Sequence, residues 1–326
     1  MNYNKVTIIK YHYVRDLDNS EYPNIKGRAT DEFIEQIKYF MKNYNIISMD
    51  TFLNSIKNST LLPSKSILLT FDDGYSDHFN NVYPFLMDNN LSGAFYLPFQ
   101  AINEKIVLDV NKIQLILSVI NNNDSIINEI FNYLDRYKEN YNLFTKDYYI
   151  NKLAVKDRWD NKKVNLIKGL LQHALPSFVR KEILKYIFNK YITNDEKGLS
   201  EKYYMSFNNA ITMKCDGMHI GNHSYNHDWL SKKTKQSQEK DIDKSLLCLR
   251  KIIGDDEPWT MCYPYGNYNN DTIDIARNRG CKAALTLNTG VADISTSGLY
   301  ELPCLYTNDF PIERNSKTNE FYSEAE

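Results

Sequence analysis

The chain has 326 residues, enough for about two domains or one large α/β barrel with an addition. Its 39 Lys and Arg against 41 Asp and Glu leave a net charge of −2, so no overall positive field draws it to nucleic acid or acidic lipid. With 42% hydrophobic and 25% charged residues it falls among folding globular chains and outside disordered ones.

In chain order, residues 6–9 (VTII) form a first strand with β-branched content. Phe33, Ile34, Ile37, Phe40 and Met41 then recur at helical spacing behind Thr30, read as the N-cap, and 46–49 (IISM) reads as a second strand. A helix from Asp50 carries Phe52, Leu53 and Ile56 on one face. The unbroken apolar run 67–71 follows, the pattern of a strand buried on both sides. A crossover helix at 82–87 leads to a strand at 94–97. From about 103 to 205 the rhythm is helical, with Val110, Ile113, Leu117 and Ile120 on one stripe and Val179, Ile183 and Ile187 on another behind Pro176. Strands return at 218–221, 260–263, 283–287 and 302–306, interspersed with a helix closing at Gly254 and one over 270–280. The alternation predicts a parallel α/β sheet or barrel interrupted by about a hundred residues of helix. The expected division is 1–102 with 206–313, an insertion at 103–205 and a polar tail at 314–326.

The longest apolar stretches stop well short of the roughly 20 residues of a membrane span, so none is expected. The N-terminus MNYNKVTIIKYHYV lacks a secretory pattern, and five cysteines without CxxC spacing fit reduced thiols better than a disulfide or zinc framework. A cytoplasmic protein is the expectation.

Four segments carry chemistry. Asp72 and Asp73 in LLTFDDGY sit at the carboxyl end of a buried strand, where α/β folds place ligands, although an Asp-Asp-Gly turn accounts for the tripeptide equally. Adjacent carboxylates repel unless a cation or proton intervenes. In IGNHSYNHDWL, His223 and His227 stand four apart, which on a helical turn lets both imidazoles reach one ion; Ser224 occupies the position where a zinc peptidase needs glutamate. Two nitrogens and the Asp73 oxygen make the three-ligand set that leaves a catalytic metal an open position. MCYPYGNYN places Pro264 and Gly266 in a tight turn whose N–H groups could face an oxyanion. His12 follows the first strand in IIKYHYV. His78 and His173 read as solvated imidazoles, and His219 as a neighbour of His223 by strand parity.

TFDDGY (70–75), HSxxH (His223, Ser224, His227) and YPYG (263–266), in this order, resemble the polysaccharide deacetylases, carbohydrate esterase family 4, which share the NodB homology domain. The resemblance covers about 5–100 and 205–310. It implies a distorted (β/α)7 barrel and hydrolysis of N-acetyl, occasionally O-acetyl, groups of sugars with a divalent metal, commonly zinc. Carried onto this chain it implies Asp72 as general base, Asp73, His223 and His227 as metal ligands, and the Tyr265 N–H at the oxyanion. No histidine follows His227, so the family's C-terminal acid is missing; a permuted branch supplies it from an N-terminal Tyr-His, which Tyr11-His12 matches, and His12 is assigned that role.

Two departures stand out: Cys262 and Cys304 occupy positions where relatives carry arginine, the first of which tunes the base. The expected function is removal of an N-acetyl group from an amino sugar or its conjugate in surface-carbohydrate metabolism. The expected partners are that acetylated sugar and a second copy of the chain joined through the helical insertion, with no nucleic acid. The competing readings are an inactive carbohydrate-binding homologue and an amidohydrolase of non-sugar amides.

Overall fold

The computed structural model describes residues 4–137, 141–295 and 298–317. Two compact units divide the chain: Met1–Asp16, Gly27–Ile106 and Ser200–Glu326 form the first, Leu17–Lys26 and Val107–Leu199 the second.

Seven strands organise the first unit: β1 (Lys5–Tyr11), β2 (Ser66–Asp72), β3 (Ala94–Leu97), β4 (His219–Asn222), β5 (Trp259–Cys262), β6 (Cys281–Thr289) and β7 (Leu302–Tyr306). Each pairs in parallel with its neighbour, and β1 pairs with both β2 and β7, so the sheet closes into a (β/α)7 barrel. Strand parity sorts the side chains. Val6 and Ile8, Leu68, Ala94 and Tyr96, Leu285, and Leu302 pack into one interior cluster with Cys262 and Cys304. The alternate set, Ile9, Tyr11, Leu69, Phe71, Phe95, Met261 and Leu305, packs outward with Phe33, Ile37 and Phe40 of the helix Thr30–Asn43 and with Ile242 and Leu249 of Lys235–Ile253. By this parity Lys10 and Asp72 belong to the interior set.

Two local expectations are corrected. Ile46–Met49 is not a strand: only Asn45–Ile46 pairs with β2, and Ser48 accepts the Thr51 N–H at 3.0 Å, capping a helix that begins at Met49. A cap with a free acceptor outweighs β-propensity over so short a run. Thr30 is the first residue of its helix, the extended cap position being Ala29.

In the second unit the helices Asp109–Val119, Asn123–Leu134, Ser177–Tyr191 and shorter neighbours bury Ile113, Ile116, Ile126, Ile130, Val179, Ile183 and Ile187. The excursion Leu17–Lys26 is tied to them by Asn24 Nδ2, which donates to the Ser118 carbonyl at 3.1 Å, and by Lys26, which pairs with Asp160 at 2.8 Å. Among the described residues no helix is long and apolar enough to cross a membrane. Of the polar tail expected at 314–326, residues 318–326 lie outside the described residues.

Candidate active site

All four segments singled out above lie at the carboxyl ends of barrel strands: His12 after β1, Asp72 and Asp73 at β2, His223 after β4, and Tyr265 after β5. Successive strand residues point to opposite faces, and Asp73 escapes that rule by turning left-handed, φ 75°, before Gly74. Ser224 (φ 62°), His227 (φ 54°) and Tyr265 (φ 57°) share this costly conformation, so half of the eight non-glycine residues with positive φ among the described residues fall in these segments.

His223 and His227 converge, but not by the helical geometry expected. No helix forms between them; the loop is held by Ser224 Oγ, which accepts the His227 N–H at 3.0 Å, and by Asp241, which accepts the N–H groups of Tyr225 and Asn226 at 2.8 and 3.0 Å. Asp73 Oδ1 then lies 3.4 Å from His223 Nε2 and 3.2 Å from His227 Nε2. That oxygen is buried with no hydrogen-bond partner among the described residues. His223 Nδ1 donates to the Cys262 carbonyl at 2.6 Å, which turns Nε2 toward Asp73; burial lowers the ring's pKa, but Cys262 and the Asp73 contact outweigh it and hold it well above the usual imidazole value. Three buried ligand-type atoms, one oxygen and two imidazole nitrogens, face one another closely enough to hold a divalent cation. The other aspartate oxygen accepts the Tyr75 hydroxyl at 2.5 Å.

A second group of ligand-type atoms, Asp72, His223 and Cys262, overlaps the first. It is the poorer cation site, because an ammonium already occupies it. Lys10 Nζ lies 3.2 Å from Asp72 Oδ2, 3.1 Å from Cys262 Sγ and 3.4 Å from the Thr286 carbonyl. Cys262 Sγ itself lies 3.3 Å from Asp72 Oδ2. Burial alone would strip Lys10 of its proton, but Asp72, aided by Cys262 and Cys304, outweighs it and lifts the pKa well above the ordinary lysine value. In the same way burial raises the Asp72 carboxyl, while Lys10, then His223 and His12, pull it below its usual value. Asp72 Oδ1 has no partner among the described residues.

His12 is near enough to Asp73 and Asp72 for their charges to raise its pKa, yet burial, the larger effect, holds the imidazole below 6.5. Beneath it lies His78, read from the sequence as a solvated ring. It is fully buried, and its Nε2–H donates to the His12 carbonyl at 2.7 Å. Lys10 and His78 are the contacts of Asp72 and His12 that sequence reasoning missed; for Lys10 the available signal is its parity with Val6 and Ile8. His219 does not join the site: its ring Nε2 bonds the Thr260 hydroxyl at 2.8 Å. Tyr265 packs its ring edge-on to His227 at 4.8 Å and stacks on Trp229 at 4.9 Å, an aromatic wall beside the histidines.

The family model for polysaccharide deacetylases matches residues 61–130 and 196–284, which contain every segment described except the first strand. A search of curated proteins finds no match. Among solved structures, the chain is similar to the Streptococcus pyogenes deacetylase PplD in complex with acetate (TM-score 0.56, 16% identity, covering 93% of this chain and 92% of that one). It is also similar to IcaB from Ammonifex degensii (0.55, 15%, 94% and 93%) and to the BpsB deacetylase domain from Bordetella bronchiseptica (0.54, 17%, 93% and 96%). At these identities the likeness is one of fold.

Proposed function

Since this chain belongs to the polysaccharide deacetylase family, we propose that it is a metal-dependent N-deacetylase of an amino sugar or its conjugate, releasing acetate. The observation that carries the reading is the convergence of His223 and His227 on one buried Asp73 oxygen, with Asp72 Oδ1 of the adjacent residue unpartnered among the described residues.

In this proposal Asp73, His223 and His227 hold a divalent cation, zinc first among candidates, which when bound polarises the acetamide carbonyl and acidifies a water. Asp72 Oδ1 takes the proton of the attacking water. The N–H of Tyr265, presented by a left-handed turn, donates to the oxyanion that develops on the acetyl carbonyl oxygen as water adds to its carbon. His12 delivers a proton to the sugar nitrogen, so that an amine and not an amide anion departs. The ring of Tyr265 with Trp229 offers an apolar face against which a sugar ring packs.

The reading extends to a cytoplasmic enzyme acting on a precursor such as a nucleotide- or lipid-linked amino sugar, supported by five unpaired thiols, four of them buried. Recovery of the native protein outside the cell would overturn that placement. A second reading, sugar binding without turnover, draws on the thiols at 262 and 304 where relatives carry arginine. The deciding experiment measures acetate release from N-acetylated monosaccharide conjugates and polymer, with and without a chelator. Chelator-sensitive release supports the enzyme, and tight sugar binding without release supports the alternative.

A further inference from the structure

The geometry points to Lys10 as a positioning residue for the reaction proposed above: its ammonium grips Asp72 Oδ2, so that Oδ1 alone faces the attacking water. The inference rests on Asp72 being the base.

Lys10 is 1% exposed, on a strand whose interior neighbours Val6 and Ile8 are apolar. Its three N–H donors match three acceptors, the carboxylate of β2, the sulfur of β5 and a carbonyl of β6, within 3.1–3.4 Å. This pocket is built for an ammonium. Stability does not explain it, because a buried ion pair is commonly no better than well-packed apolar residues of the same volume. What the pair does supply is a fixed carboxylate. Lys10 Nζ and Cys262 Sγ both lie against Oδ2, at 3.2 and 3.3 Å, while Oδ1 of the same group keeps no partner among the described residues. A carboxyl free to rotate would present either oxygen; this one presents a single acceptor, at the strand end where the histidines converge. Displacements of about 1 Å in a reacting group cost on the order of 100-fold in rate.

The test is steady-state kinetics on the metal-loaded protein, with a substrate the wild type deacetylates, for Lys10→Met, Asp72→Asn, the two combined, and the exchange Lys10→Cys with Cys262→Lys. Lys10→Met should lower kcat by about 100-fold, with KM and metal content within about twofold of wild type. In the Asp72→Asn background the same substitution should change kcat by less than about twofold, because the group it positions is gone. The exchange, which keeps total volume and returns the charge to Asp72 from β5, should recover at least about tenfold over Lys10→Cys alone. A folded, metal-bound Lys10→Met enzyme with wild-type kcat would overturn the inference, as would an equal loss in the Asp72→Asn background. Should Lys10→Met not fold, the exchange decides: turnover no better than that of Lys10→Cys overturns it. Wild-type turnover by Asp72→Asn would instead remove the base assignment itself, a separate and recognisable failure.

Discussion

The Nδ1–H of His223 is donated to the carbonyl oxygen of Cys262 at 2.6 Å, across from β4 to β5. That one bond fixes the ring's orientation and turns Nε2 toward Asp73 Oδ1, 3.4 Å away. It also ties the histidine to the residue whose thiol lies against Asp72.

The roles of the two adjacent aspartates should therefore separate. Asp73→Ala and His223→Ala should lose bound metal, whereas Asp72→Asn should keep it and lose about 100- to 10,000-fold in turnover, the range of a general base. Elemental analysis of purified protein beside acetate release reads both. Equal metal loss in all three variants would contradict the division.

His78 should act on turnover through His12. With its ring replaced in His78→Leu, the His12 carbonyl loses the N–H that His78 donates at 2.7 Å, and kcat should fall by about tenfold with metal retained. His78→Asn, which keeps an N–H donor, should recover part of the loss. Activity indifferent to both variants would show that the bond is merely structural.

Acid should destabilise the fold through its buried imidazoles. Burial lowers His78 to about 4 and His219 to about 3. Both are neutral when folded, while the unfolded chain takes up protons below about 6.5, so their contribution is complete above that pH and is lost as pH falls toward the folded values. At pH 5 each group should cost about 2 kcal/mol. Thermal melts at pH 7 and pH 5 should show a smaller acid-induced drop for His219→Gln than for wild type; identical drops would contradict the burial of a neutral ring.

Much of the barrel is legible in the sequence, because a parallel barrel strand must be apolar on both faces: VTII, ILLTF and the runs near 94, 220, 260, 285 and 304 all meet that demand. Asp72, Asp73, His223, His227 and Tyr265 are visible as motifs at strand ends. The means of their meeting is less so. Left-handed backbone at Ser224 and His227 leaves no periodic trace, and so the spacing reads as a helical turn where the chain forms a loop. Lys10 reads as an ordinary cation on a short strand, since its partners Asp72 and Cys262 lie 62 and 252 positions away and only ring closure brings them together. The excursion Leu17–Lys26 carries no hint of its attachment to Ser118 and Asp160 for the same reason.

The YPYG turn should tolerate no side chain at its glycine. Gly266 has φ +59°, and a Cβ there would fall 2.7 Å from Leu287 Cβ and 2.9 Å from the Leu287 backbone nitrogen. Gly266→Ala should thus destabilise by about 1–3 kcal/mol and displace Tyr265, lowering kcat as well. Unchanged melting and turnover would mean the turn is looser than its geometry.

The central claim is that one cation sits among Asp73, His223 and His227. Anomalous diffraction from crystals grown with zinc measures it directly. The expected result is a single strong peak about 2.0–2.2 Å from Asp73 Oδ1 and from Nε2 of both histidines, with Asp72 not coordinating. A peak held instead by Asp72 and Cys262, or no peak at the three residues at saturating zinc, would contradict the account.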